Sequence, residues 1–339
     1  MTPLDYFDYK FSFPLELGDK LSGFRLAYTT QGTRNAEGSN VVWICHALTG
    51  NADPSDWWSG LVGPGKYYDP ARYFIVCANV LGGCYGSTGP LSENPATGKP
   101  YFHTFPTLTI RDMVGALDLL RQELSIEQIH TCVGGSLGGQ QAVEWAIMRP
   151  KLIKNLILIA TNAVFSPWGI AFNEAQRMAL QADPTWTESR PDAAQMGLKA
   201  ARSIALLSYR NYETYAFTQA LDKNEQTDRD KAAGYQNYQG EKLVSRFNAY
   251  TYWLLTKVMD SHNVGRNRGS ILNALGLIEA KTLVVGIHSD VLFPPSEQQF
   301  LARHIPDAVY EELESLYGHD GFLVEFKPLA QLIRKWEEK

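Results

Sequence analysis

The sequence lacks long apolar runs and has few cysteines, and these absences exclude several classes of protein. No uninterrupted hydrophobic stretch approaches the roughly 20 residues that a membrane-spanning helix needs. None of the four cysteines stands in a Cys-x-x-Cys pair, so the sequence predicts neither a disulfide framework nor a metal site. Residues 1–6 lack the basic segment and apolar core of a secretory signal. We therefore expect a cytoplasmic protein that binds no membrane.

An excess of basic residues is also missing, because 31 Lys and Arg stand against 36 Asp and Glu. The formal net charge of −5 gives no electrostatic reason to expect nucleic acid as a partner. Hydrophobic residues make up 45% of the chain and charged residues 20%, which is typical of globular proteins. A length of 339 residues accommodates one large α/β domain, or such a domain with an insertion.

The order of apolar runs predicts an α/β fold with a mostly parallel, doubly wound sheet. Nearly continuous hydrophobic runs, which are typical of parallel strands covered on both faces, occur at 41–46, 73–79, 129–135, 156–160 and 282–287. Between two of these runs, residues 109–124 show apolar side chains at helical spacing. Alternating strand and helix signals of this kind indicate a parallel sheet with helices on both faces.

The alternation of strand and helix signals runs to residue 160 and resumes at 282. Because residues 166–276 show helical periodicity instead, we expect 1–165 and 277–339 to form the core domain and 166–276 to form a helical lid domain. This lid would cover the carboxyl edge of the sheet, where open α/β sheets place their ligands. Near the start of the chain, alternating residues at 13–17 and 24–28 predict an antiparallel hairpin at the sheet edge.

Residues 134–138, with the sequence Gly-Gly-Ser-Leu-Gly, form a motif that predicts a nucleophilic serine. A Gly-x-Ser-x-Gly turn between a strand and a helix is typical of a nucleophile elbow, in which a strained turn exposes the serine hydroxyl above the sheet edge. Side chains at Gly134 or Gly138 would collide with the neighbouring strand and helix. We expect Ser136 to be the nucleophile and the Leu137 N–H to face a developing oxyanion.

A serine nucleophile needs a base that is itself held by an acid, and in this class of sheet the three follow in the order Ser, Asp, His. His319 lies in a tight Gly-His-Asp-Gly loop after a predicted strand, and Asp290 directly follows another. We predict that His319 takes the serine proton and that Asp290 fixes the tautomer of His319. A second oxyanion donor is expected in the loop after 41–46, at the Leu48 N–H.

Longer motifs stand in a consistent order along almost the whole chain. They lie at 46–50 (His-Ala-Leu-Thr-Gly), 79–90, 105–112, 134–139 (Gly-Gly-Ser-Leu-Gly-Gly), 183–186, 197–202 and 318–323 (Gly-His-Asp-Gly-Phe-Leu). Over residues 12–335 this pattern resembles the homoserine O-acetyltransferase family, within the α/β-hydrolase superfamily. The sequence departs from that family at 246–248, where Arg-Phe-Asn stands in place of the usual Arg-Phe-Asp.

The resemblance implies an α/β-hydrolase fold and acetyl transfer from acetyl-CoA to the hydroxyl of L-homoserine, a step of methionine biosynthesis. It implies a ping-pong mechanism through an acyl-serine, with acetyl-CoA as a co-substrate and with no cofactor or metal. The family's acceptor-binding residues map onto Arg202, Tyr209 and Asp320. The lid helices would form a homodimer contact.

Elementary chemistry supports these acceptor-binding residues. Arg202 and Tyr209 are seven residues apart, so they share one face of the predicted helix 197–210. An arginine there can pair with the carboxylate of an amino acid. Asp320 follows His319 directly, and an uncompensated carboxylate there would raise the pKa of the histidine for no catalytic gain. We therefore expect Asp320 to bind the ammonium group of the acceptor.

Residues 241–260 carry more apolar side chains than one core face needs, which predicts that this helix meets a second copy of the chain. The residues concerned are Phe247, Tyr250, Tyr252, Trp253, Leu254 and Leu255.

The sequence leaves other functions open. An O-succinyltransferase or a serine O-acetyltransferase would share these motifs, and one methylene in the acceptor is worth only about 1–3 kcal/mol of discrimination. An esterase or thioesterase would use the same triad with water as acceptor. A catalytically silent binding protein is the weakest alternative, because Ser136, Asp290, His319 and the elbow glycines are all present.

Overall fold

The computed structural model describes residues 2–220 and 231–338. Its strands are β1 (Asp5–Tyr9), β2 (Phe13–Pro14), β3 (Lys20–Leu21), β4 (Phe24–Gln31), β5 (Val41–Cys45), β6 (Phe74–Ala78), β7 (Glu93–Asn94), β8 (Lys99–Pro100), β9 (Ile129–Gly135), β10 (Ile153–Ile159), β11 (Lys281–Ile287) and β12 (Ala308–Leu313). Its helices are α1 (Pro54–Trp57), α2 (Ile110–Glu123), α3 (Leu137–Met148), α4 (Pro167–Gln181), α5 (Gln195–Tyr209), α6 (Tyr212–Thr218), α7 (Lys231–Val244), α8 (Ala249–Asp260), α9 (Ile271–Leu275), α10 (Pro295–His304), α11 (Gly321–Val324) and α12 (Phe326–Glu337). Short 3₁₀ turns occur at Phe102–Thr104 and Gly318–Asp320.

The central sheet of the described residues has eight strands in the order β1-β4-β6-β5-β9-β10-β11-β12. From β6 to β12 every neighbouring pair is parallel. The strands β1 and β4 add an antiparallel edge. Parallel neighbours need crossover connections, which place helices over the faces of the sheet. The predicted doubly wound α/β fold is therefore confirmed.

Strand β5 shows why the sequence reads as continuous apolar runs. Val41, Trp43 and Cys45 belong to the apolar cluster on one face of the sheet, whereas Val42 and Ile44 belong to the cluster on the other face. All five side chains are buried. Because successive side chains of a strand point to opposite faces, a strand covered on both sides must be apolar at every position.

A helical insertion at residues 166–276 separates β10 from β11. It holds α4 to α9 and, where it is described, adds no strand to the sheet. Helix α5 packs against α4 and α7, and α4 also packs against α8. The predicted helix 241–260 is in fact two helices, because the Asn248 side chain accepts a hydrogen bond from the Thr251 N–H (2.9 Å) and begins α8 anew. The charged composition of residues 223–231 predicts a surface loop, and this stretch lies outside the described residues apart from Lys231 at the start of α7.

The predicted edge hairpin is wrong in its pairing. Strand β2 pairs with β3, because a tight turn closed by the Gly18 N–H on the Leu15 carbonyl oxygen (3.0 Å) reverses the chain early. Strand β4 pairs instead with β1, which the apolar pattern did not reveal.

The prediction that residues 241–260 expose a surplus of apolar side chains is also wrong. The Tyr252 hydroxyl donates to Gln176 Oε1 (2.6 Å), and Trp253 packs on Trp186 with ring centres 5.1 Å apart. Trp253 is partly buried, and the others are buried: Phe247, Tyr250, Tyr252, Leu254 and Leu255. Contacts within the same chain already use these side chains.

Across the described residues, no helix combines the length and apolar character needed to cross a membrane.

Candidate active site

Ser136 lies in a strained turn between β9 and α3. Its backbone angles are φ +57° and ψ −125°, a region that L-residues rarely adopt. A Cβ atom on Gly134 would lie 2.3 Å from the backbone of Gly138, and one on Gly138 would lie 2.1 Å from the Cys45 carbonyl oxygen. The turn therefore requires glycine at both positions, as the motif predicts.

The two backbone N–H groups expected to bind an oxyanion lie on neighbouring segments. Leu137 is the first residue of α3, where an N–H has no acceptor within the helix. Leu48 lies in loop 46–50, directly after β5. The Gln141 amide Nε2 donates to the carbonyl oxygens of both His46 and Leu137 at 3.2 Å, which fastens this loop to the first turn of α3.

His46 anchors loop 46–50 to the loop after β6. The Val80 N–H donates to His46 Nε2 (3.1 Å), so Nδ1 carries the proton and donates to the Ala47 carbonyl oxygen (2.8 Å). Burial lowers the pKa of His46 to about 4. At neutral pH this histidine is therefore uncharged, with both ring nitrogens engaged by the backbone.

His319 and Asp290 form a buried pair. His319 Nδ1 donates to Asp290 Oδ2 (2.7 Å), while Asp290 Oδ1 accepts from the backbone N–H groups of Leu292 (2.8 Å) and Phe293 (2.9 Å). Each member of the pair is 3% exposed. Burial by itself lowers the pKa of His319, but the charge and hydrogen bond of Asp290 and the charge of Asp320 outweigh it, so the pKa is raised.

The structure brings Ser136 and the His319–Asp290 pair to the same edge of the sheet. Ser136 follows β9, Asp290 follows β11 and His319 follows β12, so all three lie beyond the carboxyl ends of parallel strands. His319 Nε2 is buried and has no hydrogen-bond partner among the described residues. Its bond to Ser136 is therefore not formed here, and such contacts commonly tighten only when substrate binds.

Arg202 and Tyr209 share one face of α5, as their spacing predicts. The Arg202 guanidinium lies 5.3 Å from the centre of the Tyr209 ring. The Tyr209 ring in turn lies 5.9 Å from the His319 ring. Two of the predicted acceptor-binding residues thus stand in a row that ends at the histidine.

Asp320 has a partner that sequence reasoning missed. Arg210 Nη2 lies 3.2 Å from Asp320 Oδ2, so the expectation of an uncompensated carboxylate beside His319 is wrong. Arg210 also covers the Tyr317 ring at 5.5 Å, and its Nε and Nη1 atoms are buried without a hydrogen-bond partner in the described chain. The sequence signal that could have identified Arg210 is its position directly after Tyr209, which is one of the predicted acceptor-binding residues.

Glu297 is a second group that the sequence did not reveal. Its pKa is raised to about 7, mainly by burial and further by the charge of Asp290. The Asn162 amide Nδ2 donates to Glu297 Oε2 (2.8 Å), which opposes that shift. The raised pKa of Glu297 therefore lies close to neutral pH, and this carboxyl is within electrostatic reach of Asp290.

Two other features lie near this edge. His288, Glu312 and Glu314 bring potential metal-ligand atoms within 4.8 Å of one another, but His288 Nδ1 already pairs with Glu312 Oε1 at 2.9 Å. A cavity of about 660 Å³ lies beside Asp290, and its wall mixes acidic, neutral polar and apolar residues but includes neither Ser136 nor His319. Neither feature is assigned to a substrate.

The chain is similar to known proteins over almost its whole length. Residues 40–326 match the family model described as alpha/beta hydrolase fold. The chain is 49% identical over 322 residues to a homoserine O-acetyltransferase from Cyclobacterium marinum, covering 95% of this chain and 92% of the relative. The crystal structure of homoserine O-acetyltransferase from Staphylococcus aureus superposes with a TM-score of 0.83 at 28% identity, covering 99% of this chain and 95% of that one. An acetylester hydrolase from Corynebacterium glutamicum superposes with a TM-score of 0.85 at 26% identity, covering 99% and 96%. The chain belongs to the homoserine O-acetyltransferase family, within the α/β-hydrolase fold.

Proposed function

We propose that this protein is a homoserine O-acetyltransferase, which moves an acetyl group from acetyl-CoA to the hydroxyl of L-homoserine in methionine biosynthesis. One observation carries the proposal. In a chain 49% identical to a homoserine O-acetyltransferase, a serine on a strained elbow shares a sheet edge with a buried His–Asp pair. Acetyl-CoA acts as a co-substrate and no resident cofactor is required.

The reaction has two steps. In the first, Ser136 Oγ attacks the thioester carbonyl while His319 Nε2 accepts the hydroxyl proton, and collapse of the oxyanion releases CoA as the thiol with that proton. In the second, the homoserine hydroxyl gives its proton to His319 and attacks the acyl-serine, and the proton returns to Ser136. The N–H groups of Leu48 and Leu137 donate to the oxyanion in both steps.

The acceptor would bind between the helical insertion and the loop of His319. Arg202 would pair with the homoserine carboxylate, and Tyr209 would add a hydroxyl. Asp320 would hold the ammonium group while it keeps its contact with Arg210. Fixing both charged ends of the substrate orients its hydroxyl toward His319.

A hydrolase is the second candidate, because the acetylester hydrolase from C. glutamicum shares this fold over nearly the whole chain. In that case water would replace homoserine in the second step. Measuring CoA release with and without L-homoserine separates the two. We expect homoserine to raise the rate severalfold and to yield O-acetylhomoserine, whereas a rate that is independent of homoserine would support a thioesterase.

A panel of two donors and two acceptors defines the substrate further. We expect acetyl-CoA with L-homoserine to give the highest kcat/KM. Preference for succinyl-CoA would make the protein an O-succinyltransferase, and preference for L-serine would make it a serine O-acetyltransferase.

We also propose that 166–276 is a lid domain on a core formed by 1–165 and 277–339, and that two chains associate through this lid. Large apolar side chains exposed on the insertion support the association: Trp168, Met178, Met196, Leu207, Tyr212, Phe217 and Tyr238.

The four cysteines are free, which fits a reducing compartment such as the cytoplasm.

A further inference from the structure

Arg246 connects the helical insertion to the loop that follows β5. Its Nη1 donates to the Thr49 carbonyl oxygen (2.7 Å) and to the Tyr85 hydroxyl (2.5 Å), and its Nη2 lies 3.5 Å from Thr49 Oγ1. One guanidinium thus holds together three segments that are far apart in sequence. Thr49 is the residue directly after Leu48.

In the part of the chain that the structure describes, the other hydrogen bonds that fasten loop 46–50 come from the core side. His46 ties it to Val80, and Gln141 ties it to the first turn of α3. The Gly50 N–H donates to the Ala47 carbonyl oxygen (2.9 Å), which closes the turn around Leu48. The far side of this turn is held by Arg246 through Thr49.

The Arg246 side chain is itself fixed by its surroundings. The next residue, Phe247, is buried and packs edge-on against the Tyr85 ring, with ring centres 5.8 Å apart. Asn248 then begins α8 as its capping residue. Both hydrogens of Arg246 Nη1 are used within the protein, one by the Thr49 carbonyl oxygen and one by the Tyr85 hydroxyl, although the side chain is exposed.

We propose that Arg246 is a positioning residue for the oxyanion hole, which keeps the Leu48 N–H aimed at the carbonyl oxygen of the acyl group from the insertion side. The inference rests on the proposed acyl-transfer site, and it adds a link between the position of the insertion and the electrostatic stabilisation of the transition state. Displacing an oxyanion donor weakens both chemical steps, because the tetrahedral intermediate of each step places its oxyanion in the same hole.

The test uses p-nitrophenyl acetate, an acyl donor without phosphate groups, beside acetyl-CoA. Arg246→Met keeps the aliphatic stem and removes the donors. We expect kcat for p-nitrophenyl acetate, the acylation rate with acetyl-CoA and the transfer rate to homoserine all to fall by a similar factor of about 10 to 100. We expect each KM to change by less than about threefold, because a donor that acts in the transition state lowers kcat rather than substrate affinity.

Two further variants sharpen the comparison. In Arg246→Lys the ammonium group can reach only part of the set formed by the Thr49 oxygens and the Tyr85 hydroxyl. This variant should therefore recover part of each of the three rates that Arg246→Met loses. Arg190→Met is the matched control, because Arg190 is another arginine of the insertion whose partners, Glu188 and Asp192, are exposed side chains. It should leave all three rates unchanged, and unfolding midpoints within error of each other would show that every variant is folded.

An unchanged rate with p-nitrophenyl acetate would overturn the proposal. So would a loss confined to the KM for acetyl-CoA, which would make Arg246 a contact for CoA phosphates. Failure of the proposed function is seen separately: wild-type protein that hydrolyses p-nitrophenyl acetate without transferring acetyl to homoserine would refute the transferase, while the Arg246 comparison would still hold.

Discussion

The carboxylate of Asp320 occupies the most informative position for acceptor recognition. It follows His319 in the chain and shares one oxygen with Arg210 at 3.2 Å. The ion pair fixes the direction of the carboxylate, and we propose that its second oxygen accepts a hydrogen bond from the ammonium group of the substrate. Pairing with Arg210 also explains how a carboxylate is tolerated beside the proposed base.

Asp320→Asn should impair transfer to the acceptor more than acylation. The substitution keeps the shape of the side chain but removes a charge-assisted hydrogen bond worth about 1.5–3 kcal/mol. We expect kcat/KM for L-homoserine to fall about 10- to 150-fold, since each 1.4 kcal/mol is about tenfold. Single-turnover acylation of Ser136 by acetyl-CoA should change far less. Equal losses in both steps would show that Asp320 only supports the loop of His319.

The pH dependence of acylation should move in opposite directions when Asp320 and Arg210 are changed. A general base must be neutral, so the rate falls as pH drops through the raised pKa of His319. Asp320→Asn removes a charge that raises this pKa and should shift the acid limb to lower pH. Arg210→Met leaves Asp320 uncompensated and should shift that limb to higher pH. Shifts in the same direction would contradict this assignment.

Other groups around His319 must be controlled in that experiment. The charged and titratable neighbours are Asp290, Asp320, Arg202, Tyr209, Arg210 and, through Asp290, Glu297. Glu297 has a pKa raised to about 7 and could itself produce an acid limb. The limb should persist in Glu297→Gln if His319 is the base.

At the level of elements, the sequence predicts the strands and turns that depend on local patterns of residues. Strands such as β5 are apolar at every position because both faces are covered, and the glycines of the elbow are required by contacts shorter than 2.5 Å. These patterns identify the sheet, Ser136 and the order of its proposed partners. The position of each residue after a strand then places them at one edge.

Contacts between segments that are far apart in the sequence cannot be predicted from such local patterns. Arg210 meets Asp320 across 110 residues, and Arg246 meets Thr49 across 197. The edge strand β1 is chosen by its pairing with β4 rather than by an apolar pattern of its own. The apolar surplus at 241–260 was misjudged because an isolated pattern does not show which neighbours cover a helix.

A buried charge cluster joins α2, α3 and the end of the helical insertion. Glu144 on α3 accepts from Arg111 Nε (2.9 Å) and from Arg268 Nη1 (2.9 Å), and its side chain is 2% exposed. Glu144→Gln would leave Arg268 without a carboxylate partner among the described residues and would leave Arg111 with Glu16 alone. We expect the free energy of unfolding, measured with urea, to fall by about 3 kcal/mol.

The control for this prediction is an ion pair whose side chains are exposed to solvent. Glu188 pairs with Arg190, and their side chains are 48% and 42% exposed. Glu188→Gln should change the free energy of unfolding by less than about 1 kcal/mol. Similar effects of the two substitutions would show that the Glu144 cluster adds no particular stability.

For the whole molecule, the exposed apolar side chains of the insertion predict a dimer. Tyr212 and Phe217 on α6 are 82% and 72% exposed. Light scattering at micromolar concentration should give twice the chain mass of 37.9 kDa. Replacing both residues by Asp should shift the mass toward the monomer. The same change at Phe11 and Leu17, which are exposed on the core domain, should not. A wild-type monomer would refute association through the insertion.

Ser136 is proposed to carry the acetyl group between the two substrates. Intact-protein mass spectrometry tests it directly, after mixing with acetyl-CoA alone and then adding L-homoserine. We expect the protein to gain one acetyl group, to lose it on addition of homoserine with formation of O-acetylhomoserine, and to gain none in Ser136→Ala. An adduct that L-homoserine discharges no faster than water does, or transfer that persists in Ser136→Ala, would contradict the account.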